Sequence, residues 1–382
     1  MATYINATSG IPQYSPSTPA SFGFDAFGRT KVSNPYTLFD VQHRYQSGDE
    51  FSDITSGGAS VSYSVNESTD LLNVGTASGD KVYRESKKCF PYQPGKALTV
   101  MQTFVMAPAQ TGLRQRVGYF SRQNGVYLQQ SGSTVSIVRR TYTGGSLSEE
   151  TVNQANWNVD TMNGLGPSRL VLNLTKAQIL FMEFEWLGVG SVKVGFAING
   201  QFITVHQFNH ANILDKVYMT TATLPIRYEI ENTAATSTTS TLRQICATVL
   251  SNGGYDRKPE VWSASRATLF QNVGTTFVPL EYALFRNPTL TGGTWIQNTP
   301  TQDTEYNVTA TAMDGGTIVR RGFLAGSNQN NAATDLEIDN GFDLQLGRTN
   351  ADSPVSDVYC LGIRTVSSTG DAIGSIQWHE LI

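Results

Sequence analysis

Hydrophobic positions along this chain alternate with polar ones far more often than they recur at a helical spacing. Between residues 59 and 65, Val61, Tyr63 and Val65 stand against Ser60, Ser62 and Ser64. Successive side chains of a strand point to opposite faces, so this run predicts a half-buried strand. The same signature returns at Leu98–Val105, Arg116–Phe120, Val126–Gln129 and Val135–Val138, with Gly, Ser, Asn and Pro clusters between. Short strands at that rhythm predict an antiparallel β-sandwich. Helical patterns are scarce, and the best is about one turn at Thr175–Gln178.

One hairpin can be counted residue by residue. Asn199-Gly200 favours a two-residue type I′ turn, because both residues tolerate positive φ. Ile198 then faces Gln201, Phe196 faces Ile203 and Val194 faces Val205. The other face pairs Ala197 with Phe202, Gly195 with Thr204 and Lys193 with His206. One face is apolar and the other mixed, as a sandwich requires.

A Thr/Ser-rich stretch, Thr233–Thr241, precedes a strand at Leu242–Leu250, and Ser251-Asn252-Gly253-Gly254 then breaks the pattern. Further strands are expected at Phe277–Phe285, Glu305–Ala310, Thr317–Phe323, Val358–Val366 and Ile373–His379. The expected organisation is an N-terminal segment, 1–24, a large sandwich domain, 25–252, and a smaller β-domain, 253–382. The first 24 residues are uncharged and Ser/Thr/Pro-punctuated. They read equally as a disordered tail or as an extended arm that orders on a neighbouring subunit.

Composition narrows the function. Of 382 residues only 15% are charged, against roughly 25% in an average soluble domain, while 35 Gly, 18 Phe and 16 Tyr suit sheets joined by turns. Net charge is −4, from 27 basic and 31 acidic side chains, so no basic field exists to gather nucleic acid. The short basic clusters (Arg84 to Lys88, Arg114 with Arg116, Arg139 with Arg140, Arg320 with Arg321) read as solvated strand faces or salt bridges. Cys89, Cys246 and Cys360 are far apart; the last two read as small apolar residues on strands, and the odd count argues against a disulfide scaffold. No basic signal-peptide start precedes an apolar run, and the most apolar stretch, Ile179–Gly190, is too short to span a bilayer. No membrane insertion is expected, and folding is expected where the chain is made.

The strongest catalytic candidate is Phe181-Met-Glu183-Phe-Glu185-Trp-Leu-Gly188. Alternation puts Glu183 and Glu185 on one face, about 7 Å apart, where one carboxyl could rise in pKa and act as an acid. This run resembles the acidic strand of laminarinase-type glycosidases, which share the concanavalin-like sandwich. The resemblance implies a third acid at the position of Gly188, so the acid/base member is missing. A solvent-facing pair on a half-buried strand is the simpler account. His206 and His210 sit four apart, a zinc spacing only on a helix, and no third ligand is near in sequence. Asp335-Leu-Glu337-Ile-Asp339-Asn340-Gly341 departs from a calcium loop, with its glycine displaced and Leu346 at position twelve. No nucleophile elbow, phosphate loop or dinucleotide-binding glycine pattern occurs. The expectation is no catalytic residues, no metal site and no cofactor. Trp157, Trp262 and Trp295 could stack on a sugar, together with Glu183 and Glu185 as ligand contacts, although an aromatic in a sandwich is more often core.

Two stretches resemble a known family. Ala26-Phe-Gly-Arg-Thr-Lys-Val-Ser-Asn-Pro-Tyr-Thr-Leu-Phe-Asp40 is similar to an opening segment of virion proteins of marine and other tailed phages. Trp186–Asn212 resembles the same family's sandwich core. Farther on, Arg286-Asn-Pro-Thr-Leu-Thr-Gly292, Gly315-Gly-Thr317 and Gln377-Trp-His-Glu380 are similar to a β-domain of phage structural proteins. The resemblance implies a jelly-roll or concanavalin-like sandwich in a virion component made and folded in the host cytoplasm. It implies a tail, baseplate or fibre-type appendage or a capsid-surface decoration, with other virion proteins as partners. A homo-oligomer, preferentially a trimer, is expected. The alternatives are a host-surface glycan-binding adhesin on the same scaffold and, third, a glycan depolymerase using Glu183 and Glu185.

Overall fold

The computed structural model describes residues 35–48, 50–254, 260–268, 279–297, 304–324, 356–366 and 372–380. Residues 1–24, most of the Ala26–Asp40 segment and the Asp335–Leu346 stretch lie outside them. The described chain is almost wholly β and antiparallel throughout, in two compact units. Described residues up to 254 belong to the first unit and those from 260 onward to the second.

The first unit opens with β1 (Tyr36–Gln42), β2 (Phe51–Ser56), β3 (Ser60–Ser64), β4 (Thr69–Val74) and β5 (Lys81–Ser86). It continues with β6 (Ala97–Val105), β7 (Leu113–Phe120), β8 (Gly125–Ser131), β9 (Thr134–Thr141) and β10 (Ser148–Asn153). It closes with β11 (Gln178–Phe184), β12 (Val192–Ile198), β13 (Gln201–Phe208), β14 (Ile226–Asn232) and β15 (Ser240–Asn252). Two sheets result. One has the order β13-β12-β11-β6-β15-β4-β3, with β1 also pairing β15, and the other the order β10-β9-β8-β7-β14-β5-β2.

The sheets pack through the apolar halves of their alternating strands. Leu180, Met182, Phe184, Val100 and Val249 of the eight-stranded sheet meet Val117, Tyr119, Leu128 and Ile230 of the seven-stranded one, all buried. The Tyr119 and Phe184 rings lie 5.1 Å apart across the interface. A polar layer crosses it as well. Arg84 of β5 donates to Gln244 at 2.7 Å, to Asp70 at 2.5 Å and to both carboxylate oxygens of Asp53 at 2.6 and 2.7 Å. His43 Nδ1 stands 3.2 Å from the same Asp70 carboxylate. A guanidinium this deep is tolerable only with such a full set of acceptors.

The hairpin at Asn199-Gly200 has the expected turn, with φ of 54° and 72°. Its register follows the count through Gly195–Thr204 and then departs, because Val194 pairs with His206 and Lys193 with Gln207. A β-bulge makes Val205 the extra residue. Its carbonyl accepts from the N–H groups of both Val159 and Asp160 at 3.1 Å, so a distant loop takes up the bond the ladder loses. Thr175–Gln178 is not helical: Lys176 N–H donates to the Asn173 carbonyl in a turn that leads into β11. The helical element among the described residues is one 3₁₀ turn, Gln154–Asn156.

The second unit holds β16 (Glu260–Thr268), β17 (Leu280–Arg286), β18 (Thr289–Thr291), β19 (Ala312–Asp314), β20 (Thr317–Leu324), β21 (Tyr359–Thr365) and β22 (Ala372–Glu380). They form a three-stranded sheet, β20-β17-β21, and two-stranded pairs β16-β22 and β18-β19. Glu305–Ala310 is not a strand. Tyr306 makes an isolated bridge to Ile296, and the Asn307 side chain accepts from the N–H groups of Thr309 and Ala310, which turns the chain instead.

Candidate functional site

The structure buries both carboxylates of the catalytic candidate. β11 ends at Phe184, one residue short of Glu185. Glu183 lies on the outer face of the eight-stranded sheet, opposite Lys193 and Thr99, with the Asn252 amide 3.5 Å away. Glu185 lies in the connection to β12, and its N–H donates to the Ser191 carbonyl. Both are buried, which corrects the expectation of a solvent-facing pair. The tight connection explains why the strand stops. Leu187 and Gly188 have φ of 34° and 79°, and a side chain at Gly190 would collide with the Glu185 carbonyl.

The other sequence candidates also scatter. Trp157 is buried, its indole N–H donating to the Val152 carbonyl at 3.2 Å, so it is a core residue and not a sugar platform. Trp295, in the second unit, is 44% exposed. The Trp262 side chain lies outside the described residues. His206 and His210 are buried, and burial pushes both imidazoles down to about 4. His210 donates from Nδ1 to the Gly190 carbonyl at 2.5 Å and stacks on the Tyr218 ring at 3.9 Å. Among the described residues no three His, Cys, Asp or Glu side chains gather as metal ligands. Cys246 and Cys360 do lie on strands, half-buried.

The densest constellation gathers arginines that the sequence reading took for solvated strand faces or salt bridges. On the outer face of the seven-stranded sheet, register brings Arg227, Glu229, Arg116, Tyr127, Phe120, Arg140 and Glu149 together from β14, β7, β8, β9 and β10. Glu229 accepts from Arg227 Nε at 2.6 Å through one oxygen and from Arg116 Nη1 at 3.1 Å through the other. Glu149 Oε1 accepts from Arg140 Nε and from the Tyr127 hydroxyl, both at 2.8 Å. The guanidinium of Arg140 lies 5.0 Å from the Tyr127 ring centre and 5.5 Å from that of Phe120. Arg116 and Arg227 cover the same two rings at 5.2 and 5.6 Å. Planar cations over aromatic faces explain how Phe120, Tyr127 and Val138 are fully buried on an outer face. Only Arg320 and Arg321, of the four basic clusters, include a wholly exposed strand run. Arg84, Arg116 and Arg140 are ion-paired, in keeping with the salt-bridge alternative, but buried.

The electrostatics run one way. Burial alone raises the Glu229 carboxyl, but Arg227 and Arg116 outweigh it and hold the group below its ordinary range. Burial likewise raises Glu149, and the Tyr127 hydroxyl with Arg140 reverses it. Burial, with the nearby Glu229 and Glu231, lifts the Tyr83 hydroxyl to about 12. Glu229 and Glu149 are held ionised and the Tyr83 phenol protonated, so none of these three exchanges a proton near neutrality. The legible signal was period-two charge: Arg114 and Arg116 on one strand, Arg227, Glu229 and Glu231 on its neighbour.

A second feature is the end of the sandwich where the connections 87–96, 121–124, 185–191 and 209–225 meet. The Tyr119 hydroxyl lies 2.7 Å from the Ala222 carbonyl and accepts from Leu224 N–H at 3.0 Å. Asn124 and Thr220 exchange two hydrogen bonds, Trp186 Nε1 donates to Met219, and Tyr218 N–H donates to Gly188. These ties hold exposed Leu187, Ile213 and Val217 on rigid loops.

No family model matches this chain, and no curated protein matches it. Solved structures resemble it in fold. One is a protein of unknown function, SO2946, from Shewanella oneidensis MR-1, with TM-score 0.39 and 10% identity, covering 60% of this chain and 92% of that one. A second is the Emp47p carbohydrate recognition domain, with TM-score 0.35 and 11% identity, covering 59% and 100%. A third is the CBM2 module of the evolved Dit of Lactobacillus casei BL23 phage J-1, with TM-score 0.37 and 6% identity, covering 58% and 98%.

Proposed function

We propose that the chain is a non-catalytic structural component of a tailed-phage particle, either a tail, baseplate or fibre-type appendage or a capsid-surface decoration. The observation that supports the non-catalytic part is electrostatic. Glu229 and Glu149 of the seven-stranded face are held as anions by arginines, helped at Glu149 by the Tyr127 hydroxyl. General acid catalysis needs the opposite, a carboxyl raised toward neutrality beside an ionised partner. The virion part is supported by the sequence resemblance of Trp186–Asn212 and of the second unit's segments. Mass spectrometry of purified particles tests it: a fixed copy number per particle is expected, and absence from particles refutes the assignment. Copy number also separates the two placements, a few copies for an appendage and many for a decoration.

A second reading, a glycan-binding adhesin, is favoured by the exposed Trp295 indole and by the ordered polar face of the seven-stranded sheet. Apolar sugar faces stack on aromatics, and fixed guanidinium and carboxylate groups match hydroxyls. Binding of the intact protein to host envelope glycans, lost in Trp295→Ala, is the expected result of this reading. No binding across a host glycan panel ends it. Hydrolysis of a host polysaccharide by the wild type, abolished in Glu183→Gln, would overturn the non-catalytic proposal.

A further inference from the structure

Asp70, Glu229, Glu281 and Asp357 are buried carboxylates that each meet an arginine. Asp80, in the first unit, is different. It is 3% exposed, yet among the described residues no arginine, lysine or histidine pairs with it. The adjacent Lys81 turns to the other face of the sheet, where its ammonium lies 4.8 Å from the Tyr83 ring centre. One carboxylate oxygen, Oδ1, accepts from the Gly58 N–H at 2.8 Å. A side chain that anchors the β2–β3 turn accounts for that bond and leaves Oδ2 without a donor among the described residues. A carboxylate taken out of water is costly unless a positive group compensates it.

Two observations point to a ligand at Oδ2. The first is a cradle of glycines. Neither Gly58 nor Gly75 has a positive φ, so backbone conformation does not call for glycine at either position. Space does: a Cβ at Gly75 would stand 2.5 Å from Oδ2, and one at Gly58 3.3 Å from it. The Gly58 carbonyl oxygen lies 4.0 Å from the same Gly75 Cβ position and borders that space. The second is an orphaned atom on Asn232, a residue 1% exposed. Asn232 stands opposite Asp80, since its N–H donates to the Asp80 carbonyl and its carbonyl accepts from Gly79, both at 2.8 Å. Opposite residues share a face, with Cβ atoms about 4.5–5.5 Å apart. Asn232 Nδ2 donates to the Gly75 and Ala77 carbonyls at 2.9 and 3.1 Å, which brings the amide to the segment that bounds Oδ2. Its Oδ1 is buried there with no partner.

We propose that Asp80 Oδ2, Asn232 Oδ1 and the Gly58 carbonyl oxygen form a calcium site that ties β5 and β14 to the β2–β3 turn, with water completing the shell. The donors are oxygens only: one carboxylate, one amide and one main-chain carbonyl. Calcium takes such mixed oxygen ligands in flexible geometry, whereas magnesium demands a near-ideal octahedron and zinc favours nitrogen and sulfur. A single carboxylate places the affinity at the weak end of calcium sites, with a Kd of about 10⁻⁴–10⁻³ M. At that affinity the site fills at millimolar calcium and hardly at all at micromolar, so this end of the sandwich tightens with the calcium around it. The proposal does not depend on the virion assignment.

Calorimetric titration of the full, chelator-treated chain with calcium chloride tests the site. One calcium per chain is expected, and about 10 mM calcium should raise the melting temperature by about 3–10 °C. The same concentration of magnesium should move it by about 1 °C or less. Asp80→Asn should bind calcium at least about 10-fold more weakly, since it removes the one charged ligand. Gly75→Ala, whose methyl meets Oδ2, should weaken binding to a similar degree and serves if Asp80→Asn fails to fold. On the unaltered chain, gadolinium(III) should broaden the amide NMR signals of Gly58, Gly75 and Asn232 first. No calcium uptake at about 10 mM, unchanged affinity in a folded variant, or gadolinium broadening centred elsewhere overturns the proposal.

Discussion

Replacing Glu229 by Gln tests whether the outer charge network is structural. The substitution keeps shape and removes one buried charge. Glu229 is 3% exposed at its side chain, and Arg227 and Arg116 are 2% and 8% exposed. After the change, Arg227 still reaches Glu85 at 3.1 Å, but Arg116 retains only the neutral Gln129 amide oxygen at 2.8 Å. One guanidinium is then buried without a carboxylate, a change that typically costs about 3–5 kcal/mol. For a domain of this size each kcal/mol moves the melting temperature by about 2–4 °C, so a fall on the order of 10 °C is expected. Thermal unfolding followed by circular dichroism at neutral pH measures it. Pairing Glu229→Gln with Arg116→Met removes the stranded charge and should recover most of the loss. The sign with pH is fixed too. The folded carboxyl lies below its ordinary 4.5, so its contribution is whole above that value and is lost as pH falls through the lower, folded one. The parent should therefore lose stability below pH 4.5 more steeply than Glu229→Gln. A Glu229→Gln variant melting within about 2 °C of the parent would refute the reasoning, since that is under 1 kcal/mol.

Other outcomes follow from burial and backbone geometry. Burial lowers His206 and His210 from 6.5 to about 4, so the unfolded chain takes up their protons first. Their contribution is complete above pH 6.5 and drains away toward pH 4, up to about 3 kcal/mol each, and His210→Phe should flatten that slope in urea titrations. Gly188→Glu, which restores the third acid of the glycosidase pattern, should show no hydrolysis in a reducing-sugar assay. It should also lose about 1–2 kcal/mol, because φ is 79° and the new Cβ meets Val217 at 2.9 Å. Gly195→Ala should cost about 1–3 kcal/mol in chemical denaturation, since its Cβ would lie 2.1 Å from the Ile203 carbonyl and 2.6 Å from the Phe181 ring.

Strand positions were legible because period-two burial is local: β6 through β9 stand within a few residues of where alternation places them. What escaped the sequence was set by distant partners. Nothing in Ile203-Thr-Val-His206 marks Val205 as the bulged residue, because the donors that stabilise it are Val159 and Asp160. Glu183 and Glu185 looked like solvent-facing acids because charge usually seeks water, whereas tertiary packing buries both. Arg116 and Arg140 could be read as solvated or salt-bridged, with no partner named. Their carboxylates, Glu229 and Glu149, lie on other strands and become neighbours only after register is known. The resemblance that implied a virion protein had no such local test, and Asn34 and everything before it lie outside the described residues.

Arg84 gives the sandwich something an oily interface lacks. Two hydrocarbon faces can slide past one another with modest loss, since one methyl contact replaces another. A guanidinium whose nitrogens meet Gln244 and Asp70 from one sheet and Asp53 from the other has a single position at which all its bonds close. A shift of either sheet by one residue breaks that set together. We expect Arg84→Met combined with Asp70→Leu to stay compact and thermally robust while its methyl NMR signals broaden; sharp, unique signals would contradict this. Such an alignment key matters most in a chain that must meet copies or neighbours in one geometry, because an assembly inherits every degree of slack in its parts.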